Sequence, residues 1–304
     1  MVDLKEIRSL KIVPFTLMNA SITAILGFIS AIIFLLASGV ISAFLPPQLS
    51  ILSGIIVSIG ISMIILLPVG GFLLEILQAF LTALFYNALV PKLGGIKLGF
   101  DGDVIKKIPV ISFTLITSAI AAIWAFIFGL LLAAVVIVVP GILSAVSTLP
   151  AVASNATAIQ GLQGATGLFA ILIPLFIIGL PIVTFIGSFI GYAIMALIYN
   201  YIIAKIGGIR LELEQTEGKF SAISSIPALA LAIAVSIVFA IYIFIFQIPS
   251  FLAFIAQGDA LTGLIYLIGY PVGYLVIYFI TGALFAIFYN LLAPRIGAIE
   301  LELE

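Results

Sequence analysis

Cysteine and histidine are both absent from the 304 residues. Without thiols the chain has no disulfide, iron–sulfur ligand or cysteine nucleophile. Without imidazole it has no histidine-ligated haem, no serine–histidine couple and none of the usual zinc sites. Redox chemistry and metal-assisted hydrolysis are disfavoured accordingly, and the expectation is a non-enzymatic protein with no cofactor and no metal. The missing cysteine assigns no compartment, because a chain packed in lipid has no need of disulfide staples. Charge is scarce as well: Asp, Glu, Lys and Arg make up 8% of the chain and sum to −1. That balance argues against an acidic partner and against nucleic acid.

What is abundant is apolar surface. Hydrophobic residues make up 64% of the chain and the mean hydropathy is +1.46, too high for a water-soluble core under a polar skin. The sequence predicts an all-α polytopic membrane protein whose first partner is the lipid bilayer. The polar start, MVDLKEIRSLKIVP, leads into an apolar run too long for a cleaved signal's core, so it reads as a retained first span. Spans one, three and five open at Pro14, Pro109 and Pro227, where a helix's first turn tolerates the missing N–H. Spans two, four and six run from Pro68, Pro181 and Pro271 to Tyr86, Tyr199 and Tyr289, eighteen residues later in each case.

Orientation follows from the cations. All eleven Lys and Arg fall on one side of a six-span scheme, and the positive-inside rule makes that side cytoplasmic, with both termini there. The expected location is the cell membrane. A rival count adds a span at Ile51–Leu67 and at the apolar pieces before Pro181 and Pro271, but it would scatter the basic residues to both sides. Those pieces read instead as outer extensions of the next helix, kinked at proline, or as interfacial or re-entrant helices.

One phrase occurs three times: FYNALVPKLGGIKLGF from Phe85, IYNYIIAKIGGIRLELE from Ile198 and FYNLLAPRIGAIELELE from Phe288. Asparagine is rare, and three of its five occurrences follow tyrosine, so an internal repeat is expected with units 1–100, 101–214 and 215–304. Asn87 continues a stripe through Ala83 and Ala79, and Asn290 one through Ala286 and Gly282, whereas Asn200 follows Ala196 and then Tyr192. Residues four apart share a helix face, so each asparagine should point at protein. Tyr86, Tyr199 and Tyr289 read as interfacial anchors and Asn87, Asn200 and Asn290 as interhelical hydrogen-bond donors. The sharper alternative brings the three asparagines together as a polar ring gating a pathway. The glycines then stop each helix. Beyond them the period-two alternation at Ile96–Phe100, Ile209–Glu214 and Ile299–Glu304 predicts short strands that pair with one another, and with Val2–Ile7, in a small cytoplasmic sheet capping the helix ends.

Few other residues invite chemistry. Glu75 is the one acid well inside an expected span, and Ser188 and Tyr278 occupy its position in the other two copies. An ionisable group at that depth is a functional candidate by default. Asn155 begins an Asn-Ala-Thr sequon that the topology places outside, a candidate glycosylation acceptor, although such short motifs are common by chance. Asp259 reads as an outer-loop charge. The segment GSFIG, Gly187–Gly191, predicts close helix contact.

The order of isoleucine–proline, long span, outer loop, span ending in Tyr-Asn, two glycines and Ile-x-Leu resembles an uncharacterised family of actinobacterial two-span membrane proteins. The residues that carry it are Pro14, Tyr86-Asn87 and Gly94-Gly95-Ile96; Pro109, Tyr199-Asn200 and Gly207-Gly208-Ile209; and Pro227, Tyr289-Asn290 and Gly297. Here there are three copies instead of one, and Ala298 replaces a second glycine. That family has no assigned activity, so the resemblance implies two spans per copy and no catalytic or binding residues. A second similarity is to the Yip1-like membrane proteins, whose spans also end near a Gly-Gly turn. Small-residue seams, short loops and the dearth of chemistry point to an accessory or structural subunit bound to other membrane protein subunits. The alternative is a channel or carrier for a small or apolar solute through a pseudo-threefold centre.

Overall fold

A computed structural model of the chain describes residues 2–148, 171–216 and 218–304, the side chain of Leu143 apart. The sequon at Asn155 lies outside the described residues. Among the described residues, six helices are long and apolar enough to cross a membrane, with mean hydropathies of 2.1 to 3.0 over their best windows, as the composition requires. Contacts divide the chain into two compact units, Met1–Pro109 with Met195–Glu304, and Val110–Ile194.

In the first unit, α1 (Ile12–Ala43) turns through Pro47–Leu49 into α2 (Ser50–Leu93). The two pack as an antiparallel hairpin because small residues let the backbones close: a Cβ on Gly27 would sit 2.9 Å from the Leu67 carbonyl oxygen. At the far end of the hairpin Ser38 is buried and donates to the Leu35 carbonyl, and Ser42 and Ser53 share a hydroxyl–hydroxyl bond. A second hairpin joins α5 (Ala228–Ala256) to α6 (Tyr270–Ile296), with Gly282 laid against the Ala232 backbone. In the other unit α3 (Val110–Ser147) meets the chain leading into α4 (Leu180–Ile198), where Gly129 faces the Phe176 carbonyl with no room for a Cβ.

The apolar pieces before the three prolines are helical extensions. Pro68 lies within an unbroken α2, whereas π turns at Leu175–Gly179 and Ile265–Gly269 precede Pro181 and Pro271. A proline donates no N–H and its ring crowds the carbonyl four residues back, and a widened turn accommodates both. The 44 residues of α2 span roughly 66 Å at about 1.5 Å per residue, far more than a hydrocarbon core of about 30 Å. The helix therefore tilts strongly or extends beyond the hydrocarbon.

Seven strands form one antiparallel sheet: β1 (Asp3–Leu10), β2 (Lys97–Asp101), β3 (Val104–Lys107), β4 (Ile209–Arg210), β5 (Glu212–Gln215), β6 (Phe220–Ser225) and β7 (Glu300–Leu303). Their order is β4-β3-β2-β1-β7-β6-β5. The two ends of that order, β4 and β5, are one stretch of chain separated by Leu211, whose N–H donates to the Asp103 carbonyl at 2.9 Å. The hydrogen-bonded order thus returns to its start through Ile209–Gln215, which blunts the edge problem of an open sheet. Ile7, Leu98, Phe100, Ile105, Ile223, Ile299 and Leu301 are buried beneath it.

The post-glycine strands do not pair with one another as the sequence led us to expect. Each pairs with a strand that leads into a helix: β2 lies between β1 and β3, and β7 lies between β1 and β6. The reason is chain direction. Strands leaving helices share one sense, so an antiparallel ladder has to interleave them with strands that enter helices. Among the entering strands, only β1 is expected from the sequence. β3 (VIKK) and β6 (FSAISS) are too short and too weakly alternating to read from sequence.

All eleven cations lie in these strands, in the turn at Lys219, at the start of α1 or in the last helical turn before a strand. The two terminal strands adjoin. The Glu6 N–H donates to the Glu304 carbonyl at 2.6 Å and the Glu304 N–H returns to Glu6 at 3.0 Å. Arg8 pairs with Glu304 and Lys11 with Glu300.

Candidate functional site

The three Tyr-Asn pairs sit where the last turns of α2 and α6, and the π stretch Tyr199–Ile203 after α4, meet the sheet. Tyr86, Tyr199 and Tyr289 are only 3, 3 and 0% exposed, so they are core residues and not the interfacial anchors expected. Their hydroxyls insert into strand ladders. Tyr86 donates to the Ile7 carbonyl at 2.7 Å and accepts from the Ile96 N–H at 3.0 Å. Tyr199 does the same between Ile105 and Ile209, at 2.7 and 2.9 Å. Tyr289 does so between Ile223 and Ile299, at 2.6 and 3.1 Å. On the same residue pairs, the Ile7 and Ile223 N–H groups bond directly to Ile96 and Ile299, each at 2.9 Å. A phenol can donate and accept at once, so it bridges the half of each pair that is too wide for a direct bond.

The adjacent asparagine grips three residues further along the entering strand. Asn87 accepts from the Leu10 N–H at 2.8 Å and donates to the Leu10 carbonyl at 2.9 Å. Asn200 binds both groups of Ile108 at 2.7 and 2.8 Å, and Asn290 both groups of Ile226 at 2.8 and 2.9 Å. These bonds run to the chain just before each odd-numbered span and not across to a neighbouring helix, which corrects the interhelical expectation. The carboxamide is the right group, since its carbonyl and amine together match a peptide's N–H and C=O.

Below each pair the small-residue stripes are buried: Ala79 and Ala83 at 3 and 0%, Ala196 at 1%, Ala286 at 0%. Under Ala196, Tyr192 fills the stripe and meets Phe113 edge-on with centroids 5.9 Å apart. The stops between helix and strand are glycines of positive φ, Gly94 (80°), Gly207 (143°) and Gly297 (95°). The next position is set by close approach. A Cβ on Gly95 would land on the Ile7 carbonyl oxygen and one on Gly208 would come within 2.6 Å of the Ile105 oxygen, whereas the third stop accepts Ala298.

Glu6 is the member of this arrangement that sequence reading passes over. Its carboxylate accepts the Gly95 N–H at 2.8 Å and pairs with Arg8 at 3.0 Å and Lys97 at 3.7 Å. Only its place in an alternating strand beside a glycine turn could have signalled it. Lys106 plays a comparable part for the second stop by donating to the Ala204 carbonyl at 3.0 Å.

The remaining candidates disperse. Glu75 is half-buried. Gly71 one turn before it faces Thr23 and Ala79 one turn after it is buried, which puts Glu75 on the stripe of α2 that faces α1. It makes no ion pair among the described residues. Ser188 donates to the Thr184 carbonyl, and Tyr278 stacks on Phe239 at 3.9 Å between centroids. Gly187 does not give the expected close contact: a Cβ there would meet no described atom within 4 Å. Asp259 is an exposed helix cap accepting the Thr262 N–H at 3.1 Å, and hydrogen bonding from Thr262 holds its carboxyl below the usual range. No family model, curated protein or solved structure matches the chain.

Proposed function

We propose that the protein is a non-enzymatic membrane scaffold, a structural or accessory subunit built from three tandem strand–helix–helix–strand units whose strands join on the cytoplasmic side. The observation that carries this reading is the use made of the thrice-written residues. Tyr86, Asn87, Tyr199, Asn200, Tyr289 and Asn290 all spend their polar atoms on the chain's own backbone. A gating or catalytic role would need at least some of that capacity free.

The helices, by contrast, present long runs of exposed Leu, Ile, Val and Phe, from Ile33 and Leu36 on α1 to Leu73 and Leu74 on α2 and Ile182 and Val183 on α4. Lipid covers such a surface, and so do the helices of partner subunits. Six of the eleven cations lie in the strands, and the positive-inside rule assigns that face to the cytoplasm.

Purification in mild detergent tests the assignment. Defined membrane proteins should copurify in fixed ratio, as read by mass spectrometry and cross-linking. Recovery of the chain alone, together with ion or solute flux in liposomes, would replace the scaffold with the channel or carrier reading. Orientation is tested separately: amine labelling from outside intact cells should spare Lys5, Lys107 and Lys205 alike.

A further inference from the structure

The last residues of the fourth spanning segment and the first turns of α5 leave a groove of 390 Å³ between them, within the range of about 300–1,000 Å³ common for small-molecule sites. Among its lining residues are the apolar Ile203, Ile206, Leu229, Ile233 and Ala234. The groove follows α5 from Pro227 to Ala234, roughly 10 Å at about 1.5 Å per residue. That stretch forms the first turns of a membrane-length helix. At the strand end it opens past Gly207, where a Cβ would meet no described atom within 4 Å.

Arg210 is the one charged residue among the described residues that line the groove, and it belongs to β4, at the strand end. Arg210 is exposed and makes no ion pair among the described residues; neither does exposed Lys205. Lys106 directs its ammonium to the Ala204 and Gly207 carbonyls and makes no ion pair among the described residues. No acid is among the described residues that line the groove.

We infer that the groove seats one molecule of an anionic phospholipid, with the phosphate on the Arg210 guanidinium and an acyl chain along the Ile203–Ile233 walls. A guanidinium offers phosphate a forked pair of donors, and an apolar channel continuing into the bilayer suits a hydrocarbon tail. A zwitterionic lipid offers the same tails but less charge, so the arginine sets the preference. This inference requires membrane immersion but is independent of the scaffold reading.

Native mass spectrometry of the full chain tests it, with phosphatidylglycerol or phosphatidylcholine added at equal concentration. The wild type retains a single phosphatidylglycerol in preference to phosphatidylcholine. Arg210→Gln weakens that retention by about tenfold or more and Arg210→Lys restores part of it. Ala230→Phe, which fills the groove, abolishes retention of both lipids, and thermal melting confirms that this variant is folded. Lys92→Gln, at the end of α2, leaves binding unchanged. Retention that survives both Arg210→Gln and Ala230→Phe would overturn the assignment. Equal loss in Lys92→Gln would do so as well, because it would mean diffuse surface charge and not a built site.

Discussion

A tyrosine hydroxyl and an asparagine amide do the joining wherever a spanning helix meets the sheet. If Tyr289 is replaced by Phe, the Ile299 N–H and the Ile223 carbonyl lose their common partner in a fully buried place. An unsatisfied buried polar group costs about 1–3 kcal/mol, so Tyr289→Phe should lower the melting temperature in detergent and speed amide exchange at Ile299. Unchanged melting and exchange would show that water takes over the bridge. Thr16 predicts the opposite sign. It is 7% exposed, and among the described residues its hydroxyl has no hydrogen-bond partner. Thr16→Val removes a desolvated hydroxyl at nearly constant volume and should stabilise the protein by about 1 kcal/mol, visible as a raised melting point. The Tyr-Asn positions were legible in the sequence because a rare pair recurs at a fixed spacing. Their partners were not, because a hydrogen bond to backbone leaves no mark on the residue that receives it.

Among the elements, the junctions between helix and strand decide most. In the first stop the backbone passes so close to Ile7 that Gly95 has no space for a methyl group, whereas the third stop carries Ala298. Gly95→Ala should displace the Ile7 carbonyl and weaken the β1–β2 pairing at a cost of about 1–3 kcal/mol, the usual range for overpacking. Ala298→Gly should cost at most about 1 kcal/mol, through the freedom gained by the unfolded chain. Melting of the two variants side by side checks the contrast, and equal losses would mean that the two stops are packed alike. Helix hairpins could be read from apolar runs and small residues. The extent of the helices could not, since nothing local separates an interfacial piece from a continuation through Pro68. That choice belongs to the packing of α2 on α1.

At the scale of the whole molecule, the N- and C-terminal strands are neighbours in one ladder, with Ser9 opposite Glu302. The chain has no cysteine, so a pair of introduced cysteines reports geometry without interference. Ser9→Cys with Glu302→Cys should oxidise to a disulfide, because antiparallel partners lie about 4.5–5.5 Å apart and a disulfide spans about 4.4–6.8 Å. Lys97→Cys with Glu302→Cys should not, since β1 stands between β2 and β7. A proteolytic nick in the outer loops followed by reducing and non-reducing gels reads both results, and the reverse outcome would restore direct pairing of the post-glycine strands. Composition and periodicity determined unaided the six membrane-length helices found among the described residues, the gathering of the cations at one set of helix ends and the short strands that follow the glycines, because these depend only on local residue chemistry. The tertiary structure alone decided that entering and leaving strands alternate, that Ile209–Gln215 joins the two ends of the sheet and that Tyr and Asn serve the chain's own backbone. Those outcomes depend on the direction in which distant segments meet, which no local stretch of residues encodes.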